Sequence, residues 1–161
     1  MRMEGPSTHR RTGIGLYTPE QRMRRDATIW TTVQGVLAPL QFIAFGVSLV
    51  LVLRYLSTGE GYALATFSII VKTAFLYVIM VTGAIWEKVV FGQYLLAPAF
   101  FWEDMVSFAV IALHTAYLYA LFVGLDPGVQ MGVALIAYAA YVINAAQFLL
   151  KLRAARLEGA A

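Results

Sequence analysis

Apolar residues run almost unbroken through four stretches of this chain, Trp30 to Leu53, Tyr62 to Ile85, Met105 to Val123 and Val129 to Leu150. Each approaches or exceeds the roughly 20 residues needed to cross the hydrocarbon layer of a bilayer. No water is available there to satisfy the backbone, so each stretch is predicted to be a membrane-spanning helix. A fifth apolar stretch, Val89 to Phe101, is too short to span and contains Gly92 and Pro98. It predicts a re-entrant or interfacial segment between the second and third spans. The expected fold is all-α, an integral membrane four-helix bundle.

The polar positions orient this bundle. Arg2, Arg10, Arg11, Arg22, Arg24 and Arg25 precede the first span, and Lys151, Arg153 and Arg156 follow the last. The positive-inside rule then places both termini in the cytoplasm, which requires an even number of spans. The Glu87 to Asp104 connection faces the cytoplasm in this topology, and the turns Arg54 to Gly61 and Gly124 to Gly128 face the other side. Residues 1–16 are expected to be a flexible tail, 17–156 a single membrane domain and 157–161 a second short tail. Thr18-Pro19-Glu20-Gln21 reads as a helix start, with Thr18 as N-cap, Pro19 in the first turn and Gln21 closing a capping box. The helix it begins is expected to lie on the membrane surface.

Composition narrows the class. At 60% apolar and 13% charged residues the chain is far from a soluble domain, where about a quarter of residues are charged. The pI near 9.3 does not argue for nucleic acid, because the basic residues cluster at the two chain ends, where they set orientation and attract anionic lipid. The absence of cysteine excludes disulfides, thiolate chemistry and cysteine-ligated metal centres. The first 29 residues lack the apolar core of a cleavable signal peptide, so the first span must direct insertion.

Within the spans, Pro39 is expected to kink the first helix, and Gln34 and Gln41, seven residues apart, to look into the bundle. Gly128 and Gly132 have the spacing of a close helix approach, and Asn144 and Gln147 read as interhelical glue. The candidate chemistry lies elsewhere. Trp86-Glu87-Lys88 and Trp102-Glu103-Asp104 set three carboxylates around the short apolar segment, and carboxylates kept beside a bilayer usually have work to do. Glu103, Ser107, His114 and Tyr117 form one polar stripe at about 100° per residue. Lys72 sits at mid-span, where a lysine costs roughly 3 kcal/mol on insertion scales and needs a partner. Each feature also has a structural reading: an interhelical hydrogen bond for Lys72 and His114, interfacial placement beside Lys88 for the carboxylates, and an aromatic belt for the tyrosines and tryptophans.

Beyond these groups, five separated words carry a resemblance. They are Leu16 to Arg22 (LYTPEQR), Val33 to Phe42 (VQGVLAPLQF), Gly83 to Tyr94 (GAIWEKVVFGQY), Ala97 to Asp104 (APAFFWED) and Asn144 to Lys151 (NAAQFLLK). In this order they resemble the 3-vinyl bacteriochlorophyllide hydratase family, over about Leu16 to Arg156. The resemblance implies an enzyme of bacteriochlorophyll biosynthesis in the inner membrane of a phototrophic bacterium. Such an enzyme adds water to the vinyl group of a magnesium chlorin or bacteriochlorin to give a 1-hydroxyethyl group. It implies no cofactor, since the magnesium comes with the substrate. The lipid bilayer is a partner, neighbouring pigment-biosynthesis enzymes are compatible ones, and nucleic acid is not. Oligomeric state is left open.

The reaction needs a proton donor, a base that positions water, and an anionic surrounding for the developing positive charge. Glu87, Glu103 and Asp104 are the candidate catalytic groups. Crowded carboxylates can hold a proton on one member while another stays ionised. Candidate substrate-binding groups are His114, Lys72, Lys88, Tyr94, Tyr117, Trp86 and Trp102, with His114 an axial ligand for the substrate's magnesium. Glu103 and His114 are separated by about 16 Å of helical rise, so one substrate does not easily use both. A pose with the substrate's propionate at the cytoplasmic surface, near Lys88 or the basic helix ends, would make His114, with Lys72 or Tyr117, the acid-base group instead. Water access favours the carboxylates. Two other functions stay in view: a non-catalytic chlorin carrier or assembly factor, and a small ion-coupled transporter built on Lys72 and His114.

Overall fold

A computed structural model describes residues 15–159, and within it every regular element is helical. The helices are α1 (Pro19–Ala27), α2 (Ile29–Thr58), α3 (Tyr62–Phe91), α4 (Phe101–Phe122) and α5 (Pro127–Gly159). The last four are long and apolar enough to cross a membrane, giving a multi-pass membrane protein. Their outer faces carry large exposed apolar residues, among them Ile43, Phe67, Phe122 and Ile136. That is how a surface facing lipid looks.

The four spans contain the four predicted stretches, except that Val123 caps α4 rather than belonging to it, and they run further, chiefly at one end. Residues 127–159 of α5 rise about 50 Å, well beyond a hydrocarbon core of roughly 30 Å. The surplus carries Lys151, Arg153 and Arg156 out of the apolar zone, and the helix continues through the expected tail to Gly159. α3 likewise continues through Val89 and Val90 to Phe91, so only residues 92–100 of the short apolar segment lie outside helices. Gly92 ends α3 in the left-handed region at φ 89°, its N–H donating to the Lys88 carbonyl at 3.1 Å. Only glycine enters that region without a steric penalty.

Thr18 caps α1 as expected, accepting from the Gln21 N–H at 3.2 Å while the Gln21 side chain accepts from the Thr18 N–H at 2.9 Å. Most of the expected N-terminal tail, residues 1–14, lies outside the described residues. Leu16 is held, its N–H donating to the Glu158 carboxylate at 2.8 Å. α2 continues as a helix through Pro39. Gly132 has no neighbour within 4 Å of where a Cβ would stand, so among the described residues it makes no close approach.

α2 packs most extensively on α3, and α4 on α5. The two hairpins meet in a dense core at the end holding the short turns, built from Val52, Ile69, Tyr117, Met131 and Tyr138. At the other end they part around a cavity. There α1 lies across α3, with Arg24 donating to the Val90 carbonyl at 3.2 Å and Tyr17 packed on Phe91 and Phe100.

Candidate active site

The space between the hairpins is a cavity of about 840 Å³, within the roughly 300–1,000 Å³ range of small-molecule sites. Gly35, Ala38 and Phe42 of α2 and Ala145, Phe148 and Leu149 of α5 give it apolar walls. Leu76, Ile111 and Tyr141 close its floor, and α1 with Arg156 and Gly159 surrounds its mouth. From Leu76 to Glu87 the α3 wall rises about 16 Å.

Glu87 and Asp104 line this cavity together, nearly buried at 5% and 2% exposure. The two carboxyl groups are close enough for the charge of one to act on the other, so ionising both at once is disfavoured and one is favoured to keep its proton. The loop fixes both: the Leu96 N–H donates to Asp104 Oδ2 at 2.7 Å and the Ala97 N–H to Glu87 Oε2 at 3.3 Å. Leu96 does so at φ 60°, in the left-handed region that branched and bulky residues rarely adopt. Local backbone strain of this kind persists where the surroundings over-determine it.

Glu103, one residue away, points elsewhere. Its carboxylate forms an ion pair with Lys151 at 2.9 Å, and Lys151 also donates to the Ala99 carbonyl at 2.6 Å. Asn144 donates to the Glu103 carbonyl at 2.9 Å, and Ser107 donates to the same carbonyl at 2.8 Å and to Asn144 Oδ1 at 3.1 Å. These bonds clamp the start of α4 to α5 and tether the loop. Asn144 and Ser107 also line the cavity; the Gln147 side-chain oxygen is buried without a partner among the described residues.

Trp86 lines the cavity, its indole N–H donating to Thr31 at 2.9 Å, while Thr31 donates to the Arg25 carbonyl at 2.6 Å. That relay ties α3 to α2 and α1. Gln34 and Gln41 both face inward, and Gln34 donates to Thr82 at 2.7 Å. Burial raises the Tyr17 phenol above its usual value, an effect opposed by the Arg25 guanidinium 4.8 Å from the ring centre.

Lys72 and His114 meet below the floor rather than in the cavity. Lys72 Nζ donates to His114 Nε2 at 2.7 Å, and His114 Nδ1 donates to the Val110 carbonyl at 2.7 Å. The lysine head lies 3.9 Å from the centre of the Tyr141 ring, whose residue forms part of the floor. Both imidazole nitrogens are therefore occupied, and neither residue lines the cavity. Tyr117 is buried deeper, in the dense core. Lys88 turns outward to the Gly92 carbonyl at 2.8 Å, and Tyr94 and Trp102 are 61% and 69% exposed. The structure thus brings Glu87, Asp104 and Trp86 together around the cavity. Leu96, Ala97 and Lys151 complete their surroundings; no spacing rule in the sequence ties these three to the carboxylates.

Residues 17–154 match the model of a family described as 2-vinyl bacteriochlorophyllide hydratase. Two relatives carry that same name. One, from Cereibacter sphaeroides, is 73% identical over 150 residues, covering 93% of this chain and 91% of its own. Another, from Rhodobacter capsulatus, is 73% identical over 145 residues, covering 90% and 85%. No solved structure matches. A match across nearly all of the membrane domain, with identity this high, places the chain in the 2-vinyl bacteriochlorophyllide hydratase family.

Proposed function

We propose that this protein is a hydro-lyase of bacteriochlorophyll biosynthesis that adds water to the vinyl group of a chlorophyllide or bacteriochlorophyllide, giving the 1-hydroxyethyl derivative. The vinyl is numbered 2 or 3 according to the ring convention. The observation that carries the reading is a pair of nearly buried carboxyl groups, Glu87 and Asp104, held by loop amides and opening onto a largely apolar cavity of about 840 Å³.

Glu87 is the proton donor and Asp104 the base. Asp104 lies in the first turn of α4, where the helix dipole favours negative charge, and accepts the shorter loop hydrogen bond. Glu87 lies beside the carbonyl end of α3, where negative charge is disfavoured. The proton therefore resides on Glu87. The vinyl π bond takes this proton at its terminal carbon, and the macrocycle spreads the positive charge left on the carbon attached to the ring. Water attacks that carbon as Asp104 accepts the water's proton. The proton then passes from Asp104 back to the neighbouring Glu87 carboxylate, which closes the cycle. Nothing is oxidised or reduced, so the step calls for no redox cofactor.

Glu103 acts through position, holding α4, α5 and the loop together. His114 would have to give up Lys72 before it could bind that magnesium. Both ends of the described chain lie at the carboxylate end of the bundle, which supports two cytoplasmic termini in the bacterial inner membrane. The loop of residues 92–100 then lies at the cytoplasmic interface. Incubating the solubilised protein with 3-vinyl chlorophyllide in oxygen-18 water tests the activity. The expected product is heavier by one labelled water; tight binding with unchanged pigment would instead indicate a carrier.

A further inference from the structure

We infer that Arg22 and Arg156 form a carboxylate-binding subsite at the cavity mouth, which takes the free propionate of the pigment and so selects the unesterified chlorophyllide. This rests on the hydratase reading for the identity of the ligand. Arg22 comes from α1 and Arg156 from the last turn of α5, and both line the cavity. The Arg22 Nη1 atom lies 3.7 Å from where a Cβ on Gly159 would stand, three residues beyond Arg156 on the same helix. Arg22 thus reaches the helix turn that carries Arg156, at the rim of the largely apolar cavity.

Their neighbours are already neutralised. Arg24 pairs with Glu20 at 2.7 Å, and Arg25 pairs with Asp26 at 2.8 Å. Among the described residues neither Arg22 nor Arg156 has a carboxylate within pairing distance. The acidic groups lining the cavity are Asp26, committed to Arg25, and Glu87 and Asp104, each held by a loop amide. An anion supplied by the ligand would complement both cations, and arginine's planar fork suits a carboxylate bidentately.

The levels also fit. Asn144 and Lys151 of α5 bracket the start of α4, through bonds to the Glu103 carbonyl and carboxylate. Arg156 lies five to twelve residues beyond them, about 8 to 18 Å of helical rise. A macrocycle held on edge by its propionate at the arginines would present another edge to Glu87 and Asp104. The carboxylate pair would repel the propionate, so the two clusters together orient an asymmetric ring.

Phospholipid headgroups offer the same oxyanion chemistry, and the test separates the two sources. Full-length protein in phosphatidylcholine nanodiscs is titrated with 3-vinyl chlorophyllide and with its propionate methyl ester, following pigment absorbance. Wild type is expected to bind the acid at least about tenfold more tightly, the scale of one charge-assisted contact. Arg22→Gln with Arg156→Gln should bring the acid down to the ester's affinity and leave the ester unchanged, while Arg153→Gln, whose exposed side chain lies outside the cavity, should change neither. Equal binding of acid and ester by wild type would overturn the subsite without reference to any variant. A double variant weakened equally toward both would assign the arginines to lipid or to structure, and also overturn it. Selective binding of an acid whose vinyl group is never hydrated would retain the subsite and defeat the hydratase reading.

Discussion

Two of the buried polar clusters in this bundle differ in what they face. Glu87 and Asp104 line a cavity and are held by loop amides. Lys72 and His114 are more completely buried, and their polar atoms are spent on each other, on the Val110 carbonyl and on aromatic faces. Burial of a charged group marks a place where the fold has met an energetic cost, but access to a ligand decides whether that cost serves chemistry. The first cluster has access. The second is separated from the cavity by Tyr141 and braces its floor.

The comparison breaks most visibly through turnover. Glu87→Gln and Asp104→Asn should each lower kcat by about 10²- to 10⁴-fold, the usual contribution of a positioned acid or base, with pigment affinity nearly unchanged. Steady-state hydration beside a binding titration checks this. Retained turnover in both variants would remove the pair from the mechanism.

Next in size is Lys151→Met, which leaves the nearly buried Glu103 carboxylate without its cation. A loss of about 3 kcal/mol in stability is expected, read as a lower unfolding midpoint in detergent, with a far smaller change in kcat than Glu87→Gln. A kcat loss as large as that of Glu87→Gln, in protein of normal stability, would move Glu103 and Lys151 into the chemistry.

Replacing the second cluster as a unit, Lys72→Met with His114→Leu, should leave hydration within about threefold, because neither group touches the cavity, and stability unchanged or raised, as when buried charged groups give way to apolar ones. The smallest effect is expected at Leu96. Leu96→Gly removes strain of about 1 kcal/mol and adds loop flexibility, so activity and stability should stay close to wild type; a tenfold loss of activity would show that the leucine side chain itself positions the carboxylates.

The local features of this architecture were legible in the chain. The capping box at Thr18 to Gln21 depends on residues three apart, and the stripe Glu103, Ser107, His114 and Tyr117 is buried along its whole length because helical periodicity alone sets it. Gln34 and Gln41 face inward for the same reason. What could not be read depends on tertiary placement. Glu103 and Asp104 look equivalent in sequence, yet adjacent residues on a helix point about 100° apart, so one meets Lys151 and the other meets Glu87. The nearby Lys88 suggested itself as counter-ion, but its side chain closes the end of α3 instead. The floor over His114 exists only once Tyr141 and Leu76 are brought together from two helices.

The most direct measurement is a single-turnover comparison at saturating 3-vinyl chlorophyllide, with bound pigment quantified in the same samples, of Glu87→Gln against the Lys72→Met, His114→Leu double variant. The account predicts full pigment loading in both, hydration slowed at least about a hundredfold in the first, and near-normal hydration in the second. Rapid hydration by Glu87→Gln, or its loss only in the double variant, would contradict the assignment and move the chemistry to the cluster beneath the floor.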